Sequence, residues 1–361
     1  TVLVNPVILS VNYYDNYEFM NANGIPAITD ADIKPETIVG YGNQYTAGGY
    51  KGLLTGTLNA YLNTDGTLSS TYLYSVMYYD NRGRVIQTKS NNHLMGGIEK
   101  EYKAYNFINM PIQVMHVHLA TGKPIQTELY TYTYDHAGRL LTTKHKLNNN
   151  ETITLAENSY DELGRLKSTK HNNQPKLQVV NTYNIRSWLK STTSPLFHQS
   201  LYYNDKGEGY TTNIPSYNGN ISGMIWSVVN DKGRGYDFYY DELSRLKRAV
   251  YLEGNMQNDK FSTSYIYDKH GNVLNLSRQG NIGTSNYGTI DNLILNYDGN
   301  QLVSVEDKGT NPTLSMSMDF KDGLHESVEY TYDGNGNMVK DLNKGISRIE
   351  YNSINLPRRV T

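Results

Sequence analysis

The sequence contains no cysteine, so it can form neither disulfides nor thiolate metal sites, and its redox compartment is left open. No apolar run approaches the 18 residues of a membrane-spanning helix. It also lacks a charge excess: 33 basic against 35 acidic residues leave a net charge of −2, too small a field to draw nucleic acid or an anionic membrane. Neither a Gly-x-Ser-x-Gly elbow nor a Gly-x4-Gly-Lys-Ser/Thr loop occurs, which leaves no motif for a serine nucleophile or a phosphate cradle. No stretch of useful length carries the helical period. Thr1–Ser10 has no charged leader, and the abrupt opening and the Arg358-Arg359-Val360-Thr361 ending read as a piece of a longer polypeptide.

What is present is the vocabulary of strands and turns. Tyrosine supplies 33 residues against 6 Phe and 2 Trp, and the chain also has 31 Gly and many Asn and Thr. One heptapeptide organises the rest, Tyr160-Asp161-Glu162-Leu163-Gly164-Arg165-Leu166. It reads as a β-hairpin corner, with Asp161 opening a type I turn and Gly164 in the left-handed position that closes it through a bulge. Tyr160 then faces Leu166 across the hairpin, while Asp161 and Arg165 form an outer ion pair.

Relatives of this corner are expected at Tyr79, Tyr105, Tyr134, Tyr183, Tyr217, Tyr240, Tyr267, Tyr297, Tyr332 and Tyr351, about 27 residues apart on average. Every anchor Tyr precedes Asp or Asn, as at Asp80, Asp135, Asp241, Asp268 and Asp333. Four residues after the Tyr, Gly83, Gly138, Gly164, Gly271 and Gly336, with Asn109 and Asn355, suit a left-handed backbone. Ser187 and Ser244 are tolerable there, whereas Ile221 and Gln301 break the rule and mark altered turns. Six residues after the Tyr comes an aliphatic side chain or Met, among them Val85, Leu140, Leu246 and Val303. Period-two tyrosines such as Tyr130, Tyr132 and Tyr134 lie on one strand face and make a natural lining.

About 27 residues suffice for two strands and two turns, whereas a propeller blade needs roughly 40–50. Because a lone hairpin is marginal in water, neighbouring hairpins must pair. The expected fold is all-β: antiparallel Tyr-Asp hairpins joined into one long, coiled sheet, a β-spiral. Residues 1–75 form a β-rich lead-in, with a degenerate corner at Tyr13–Asn16 and a polar loop over 21–35, and residues 76–361 form the array.

Five copies, at Tyr79–Val85, Tyr134–Leu140, Tyr160–Leu166, Tyr267–Val273 and Tyr332–Met338, resemble the Tyr-Asp (YD) repeats of the bacterial rearrangement-hotspot (RHS) family. The resemblance covers roughly residues 75–361. It implies a sheet that spirals into a hollow shell around a variable C-terminal toxin or effector, in secreted or surface-attached proteins of intercellular competition. Teneurins carry a similar shell in animal adhesion receptors. Family members of the polymorphic-toxin type add an Asp-Pro-x-Gly self-cleavage element, which this sequence lacks. With eleven corners, an open, partial wall is expected. The implied partner is an enclosed C-terminal part of the same polypeptide or a cell-surface protein, or alternatively a carbohydrate, with no cofactor, catalytic residue or nucleic acid involved.

Sharper sites compete with plainer readings. Asp333, Asn335 and Asn337 place oxygens as calcium loops do, but no Glu follows at the twelfth position and the segment coincides with a corner, so a turn is expected. His116 and His118 share a strand face and would hold a metal only with a third ligand from a neighbouring strand. His325-Glu326 lacks the second His of a zinc-protease helix. Repeated corner Asp residues are explained by turn chemistry rather than by paired carboxylates for glycoside cleavage. Trp188 and Trp226 are candidates for stacking on a sugar, with packing on the sheet as the preferred reading.

Overall fold

A computed structural model describes residues 8–21, 33–46, 50–62, 67–207, 212–254, 256–283, 285–310 and 319–361. Expectations for Val2–Val7 and most of the 21–35 loop lie outside them. Among the described residues the chain is all-β, interrupted only by short 3-10 turns. Twenty-one strands belong to one long antiparallel sheet, and the hairpins Tyr330–Tyr332/Met338–Asp341 and Ile349–Tyr351/Pro357–Val360 form separate two-stranded sheets. By compactness the chain divides into residues 1–179 and 180–361.

The corner rule holds locally. Tyr79 faces Val85, Tyr105 Pro111, Tyr134 Leu140, Tyr160 Leu166, Tyr183 Leu189, Tyr240 Leu246, Tyr267 Val273, Tyr332 Met338 and Tyr351 Pro357, each beside a register shift. Ser187 and Ser244 adopt the left-handed backbone that Gly takes elsewhere, at φ of 62° and 63° against 81° at Gly164. The serines carry a Cβ into a region that costs roughly 1–2 kcal/mol for an L-residue.

Two anchors behave differently. Tyr217 is not a hairpin corner: it is 70% exposed in a bend between the strands Phe197–Tyr202 and Gly223–Val228, which pair directly with each other. With Ile221 where a left-handed residue belongs, the local signal fails and the segment loops out. At Tyr297 the corner is one residue shorter, because Gly299 turns at φ of 60° between the paired Asp298 and Gln301. Leu302 rather than Val303 therefore faces Tyr297. Residues 141–158 are mainly strand, within Leu140–Leu147 and Ile153–Tyr160. The degenerate corner at Tyr13–Asn16 ends the strand Ser10–Tyr14, which closes no tight hairpin there but pairs with the next described strand, Leu54–Leu62.

Two clusters of buried apolar side chains form where residues outside the strands pack on the sheet. In residues 1–179, Phe19 and Ile33 pack on Val76 and Tyr78. In residues 180–361, Leu293, Val305 and Tyr330 form a second cluster with Phe320 beside it.

Candidate functional site

Each corner is a small hydrogen-bonded machine. At Tyr160–Leu166, the Asp161 Oδ1 accepts from the Leu163 and Arg165 amides at 3.0 and 2.9 Å, and its Oδ2 accepts from Arg165 Nε at 2.6 Å. The Asp161 amide donates to the Arg165 carbonyl at 2.9 Å, which locks the bulge. Asp80, Asp135 and Asp241 repeat the pattern with Arg84, Arg139 and Arg245, while Asp268 and Asp333 use Asn272 and Asn337. Hydrogen bonds from the Arg139 amide and guanidinium hold the Asp135 carboxyl below its ordinary value, and those from Asn337 do the same for Asp333. The Asp333 Oδ1 accepts from the Asn335 and Asn337 amides, both at 2.9 Å.

The tyrosines connect one corner to the one before it. Tyr105 donates its hydroxyl proton to the Val85 carbonyl at 2.8 Å, Tyr134 to Pro111 at 2.8 Å, and Tyr160 to Leu140 at 2.9 Å. In the second unit Tyr267 donates to Leu246 and Tyr351 to Met338, both at 2.8 Å. Each acceptor belongs to the residue that faces the previous corner's tyrosine. Tyr203, not Tyr217, makes this bond to Leu189, at 3.1 Å. The corner arginines add a second link, with the Arg84, Arg139 and Arg245 guanidiniums 4.7–4.8 Å above the Tyr105, Tyr160 and Tyr267 rings. The Asp–Arg pair is thus half-buried mortar between repeats rather than only an outer, solubilising pair. Burial raises the hydroxyl pKa of Tyr79, Tyr134 and Tyr240.

From residue 105 to residue 202 no residue is buried, and the strands are half-buried throughout. Tyr130, Tyr132 and Tyr134 alternate with Thr131 and Thr133 and so point to one face, as expected. Tyr130 lies 4.6 Å from the His145 ring there. The strands over this range present aromatic and polar side chains, Tyr, Thr and His among them.

Trp188 and Trp226 are half-buried, and both pack on sheet neighbours: Trp188 against Tyr203 at 5.0 Å and Trp226 stacked on Tyr236 at 5.9 Å. Trp226 nonetheless borders a groove of about 360 Å³ with His198, Asp231 and Arg234. His116 and His118 stand side by side, and the neighbouring strand brings Glu99 against both. That third residue was absent from the sequence reading, as was Tyr203. His325 is exposed, in a segment with no helix, beside Asp322 at 3.3 Å. Among the described residues no helix is long and apolar enough to cross a membrane.

No protein-family model and no curated protein sequence matches the chain. Solved structures do match in part. A chain of the Photorhabdus luminescens Tc holotoxin pore is 12% identical with a TM-score of 0.34, over 80% of this chain and 16% of that one. The TcdB2–TccC3–Cdc42 complex gives 10% and 0.28 over 88% and 20%, and TcdB2–TccC3 without its hypervariable C-terminal region gives 11% and 0.31 over 86% and 20%. The chain therefore spans no more than about a fifth of these neighbours' length.

Proposed function

We propose that this chain is a non-enzymatic stretch of an RHS-type shell wall, a β-spiral segment of a secreted or surface-attached protein that encloses or displays another polypeptide. The supporting observation is the strand Gln126–Tyr134, none of whose residues is buried and which presents Tyr130, Tyr132 and Tyr134 on one face beside His145. Such a surface holds a guest through many weak amphipathic contacts and does not demand one sequence of it. The corners serve geometry: Asp, Gly and Arg fix each turn, and Tyr hydroxyls hold successive turns together. The domain reading accompanies the proposal, with residues 1–75 as a lead-in and 76–361 as the wall.

The absence of cysteine makes the test direct. Tyr130→Cys and Thr131→Cys place single thiols on opposite faces of one strand. In residues 1–361 without a guest both are expected to react with a maleimide, whereas with the enclosed polypeptide bound Tyr130→Cys is expected to be protected and Thr131→Cys not. Equal rates at Tyr130→Cys in the two contexts would count against enclosure.

The groove at Trp226 favours a second reading, an adhesion surface that stacks on carbohydrate. Glycan-array binding that disappears in Trp226→Ala would replace the enclosure reading with that one.

A further inference from the structure

We infer that Glu99, His116 and His118 form a zinc-type divalent cation site on the aromatic face of the wall. The two histidines are two residues apart in the strand Pro111–Leu119, so they project to one face. The strand Ile98–Tyr105 pairs with it in the register set by the Tyr105 corner, which puts Glu99 opposite His118 and Glu101 opposite His116. The Glu99 Oε2 lies 3.1 Å from His116 Nε2 and 2.5 Å from His118 Nδ1, and the two rings are 4.1 Å apart. Ligand atoms from all three residues fall within 4.8 Å of one another.

The carboxylate oxygen supplies the second observation. Glu99 Oε2 is buried, and although two imidazole nitrogens are close, neither is placed to donate a hydrogen bond to it. A buried carboxylate oxygen without a hydrogen bond is costly, and a cation between it and the imidazoles removes that cost. The other carboxylate oxygen, Oε1, accepts from Asn92 Nδ2 at 2.5 Å, which orients the group as outer partners of metal ligands do. Around a tetrahedral zinc with bonds of about 2.0–2.1 Å, neighbouring ligand atoms lie about 3.3 Å apart. The 3.1 Å separation is close to that already, and the 2.5 Å one opens by less than about 1 Å through side-chain rotation.

The donor set selects the ion. Two imidazoles and one carboxylate with no thiolate suit zinc, whereas calcium and magnesium prefer all-oxygen shells. The histidines are 33% and 38% exposed, so an ion can enter and a fourth position faces solvent. With neutral imidazoles the loaded site carries one net positive charge, on a face where Glu101, opposite His116, is already paired with Lys103 at 2.7 Å. It straps the hairpin 98–119 across its two strands.

The test is calorimetric titration of the whole chain with zinc chloride, together with the absorption spectrum of the Co²⁺-loaded protein. One ion per chain is expected, with a tetrahedral cobalt spectrum and a melting temperature raised by zinc. Glu99→Gln, His116→Ala and His118→Ala should each weaken zinc binding by at least about tenfold, and Asn92→Ala by less. His145→Ala, an imidazole on the same face but outside the cluster, should bind as the parent does. Should an alanine variant melt lower without metal, His118→Gln and His116→Gln carry the same expectation. No zinc uptake, or uptake unchanged in the Glu99 and His118 variants, would overturn the site and show only a His–Glu ion pair. Neither outcome touches the enclosure reading, which rests on thiol accessibility.

Discussion

Two stretches of the first unit are built from the same repeat and differ in what lies on them. Over residues 76–104, Val76, Tyr78, Ile86, Gln87, Lys89 and Tyr102 are all but inaccessible to solvent, whereas over 105–179 nothing is buried. The corners are the same in both. The difference is a segment, described from Ile33 onward, that is zipped onto the first stretch: Tyr78 donates to the Ile33 carbonyl at 2.5 Å, Lys89 to the Lys34 carbonyl at 2.6 Å, and Gln87 to the Glu36 carbonyl. Lys89, with no exposed side-chain surface, also pairs with Glu36 at 2.7 Å. In this unit, therefore, the repeat is most deeply buried where another segment lies on it.

The sharpest break of this comparison is a truncation on each side of it. Tyr78→Ala, under the cover, is expected to cost about 3–5 kcal/mol in urea denaturation, and Leu129→Ala on the bare stretch about half of that or less. Equal costs would mean that the bare wall is packed as tightly as the covered one.

The next largest effect is one of pH. Burial alone would raise the Glu36 carboxyl, but hydrogen bonds from Lys89, Lys100 and Tyr102 outweigh it and hold the group at about 2, below its ordinary 4.5. A carboxylate depressed on folding stabilises above its unfolded value and loses that contribution as pH falls through the folded one. The cover should thus be fully held above about pH 4.5 and released towards pH 2, seen as faster hydrogen exchange at residues 86–89 with no change at 140–147. Glu36→Gln should abolish that step, and its survival would assign the transition to another group.

The smallest effect compares corners rather than regions. Gly164→Val should destabilise by about 1 kcal/mol or more, because a β-branched side chain is forced into a left-handed backbone. Ser244→Gly, at φ of 63°, should instead stabilise by up to about 1 kcal/mol by relieving the same strain. Melting temperatures moving the same way in both variants would contradict the turn geometry.

Much of the wall was legible because its rules are local. A Tyr-Asp start, a left-handed residue at the fifth place of the heptapeptide and an apolar one at the seventh lie within one turn, so each corner carries its own instructions. Where one instruction failed, at Ile221 and near Gln301, the structure departs from the pattern, as a looped-out segment and as a shortened turn. Glu99 was within reach of the same logic. Once Tyr105 is paired with Pro111 across its bulge, counting back along both strands sets Glu99 opposite His118, a step the sequence reading did not take.

By itself, then, the sequence determined the all-β class, the hairpin corners, their cross-strand pairs and the residues that tolerate a left-handed backbone, since each depends on neighbours a few residues apart. Only the tertiary structure decided which stretch is covered by residues 33–36, that Tyr203 takes the bond that Tyr217 does not make, that corner arginines stack on the next corner's tyrosine, and that a carboxylate meets the two histidines. Those contacts join residues from 14 to 66 positions apart. Their partners are chosen by how strands and covering segments come together in space, for which no local pattern is sufficient.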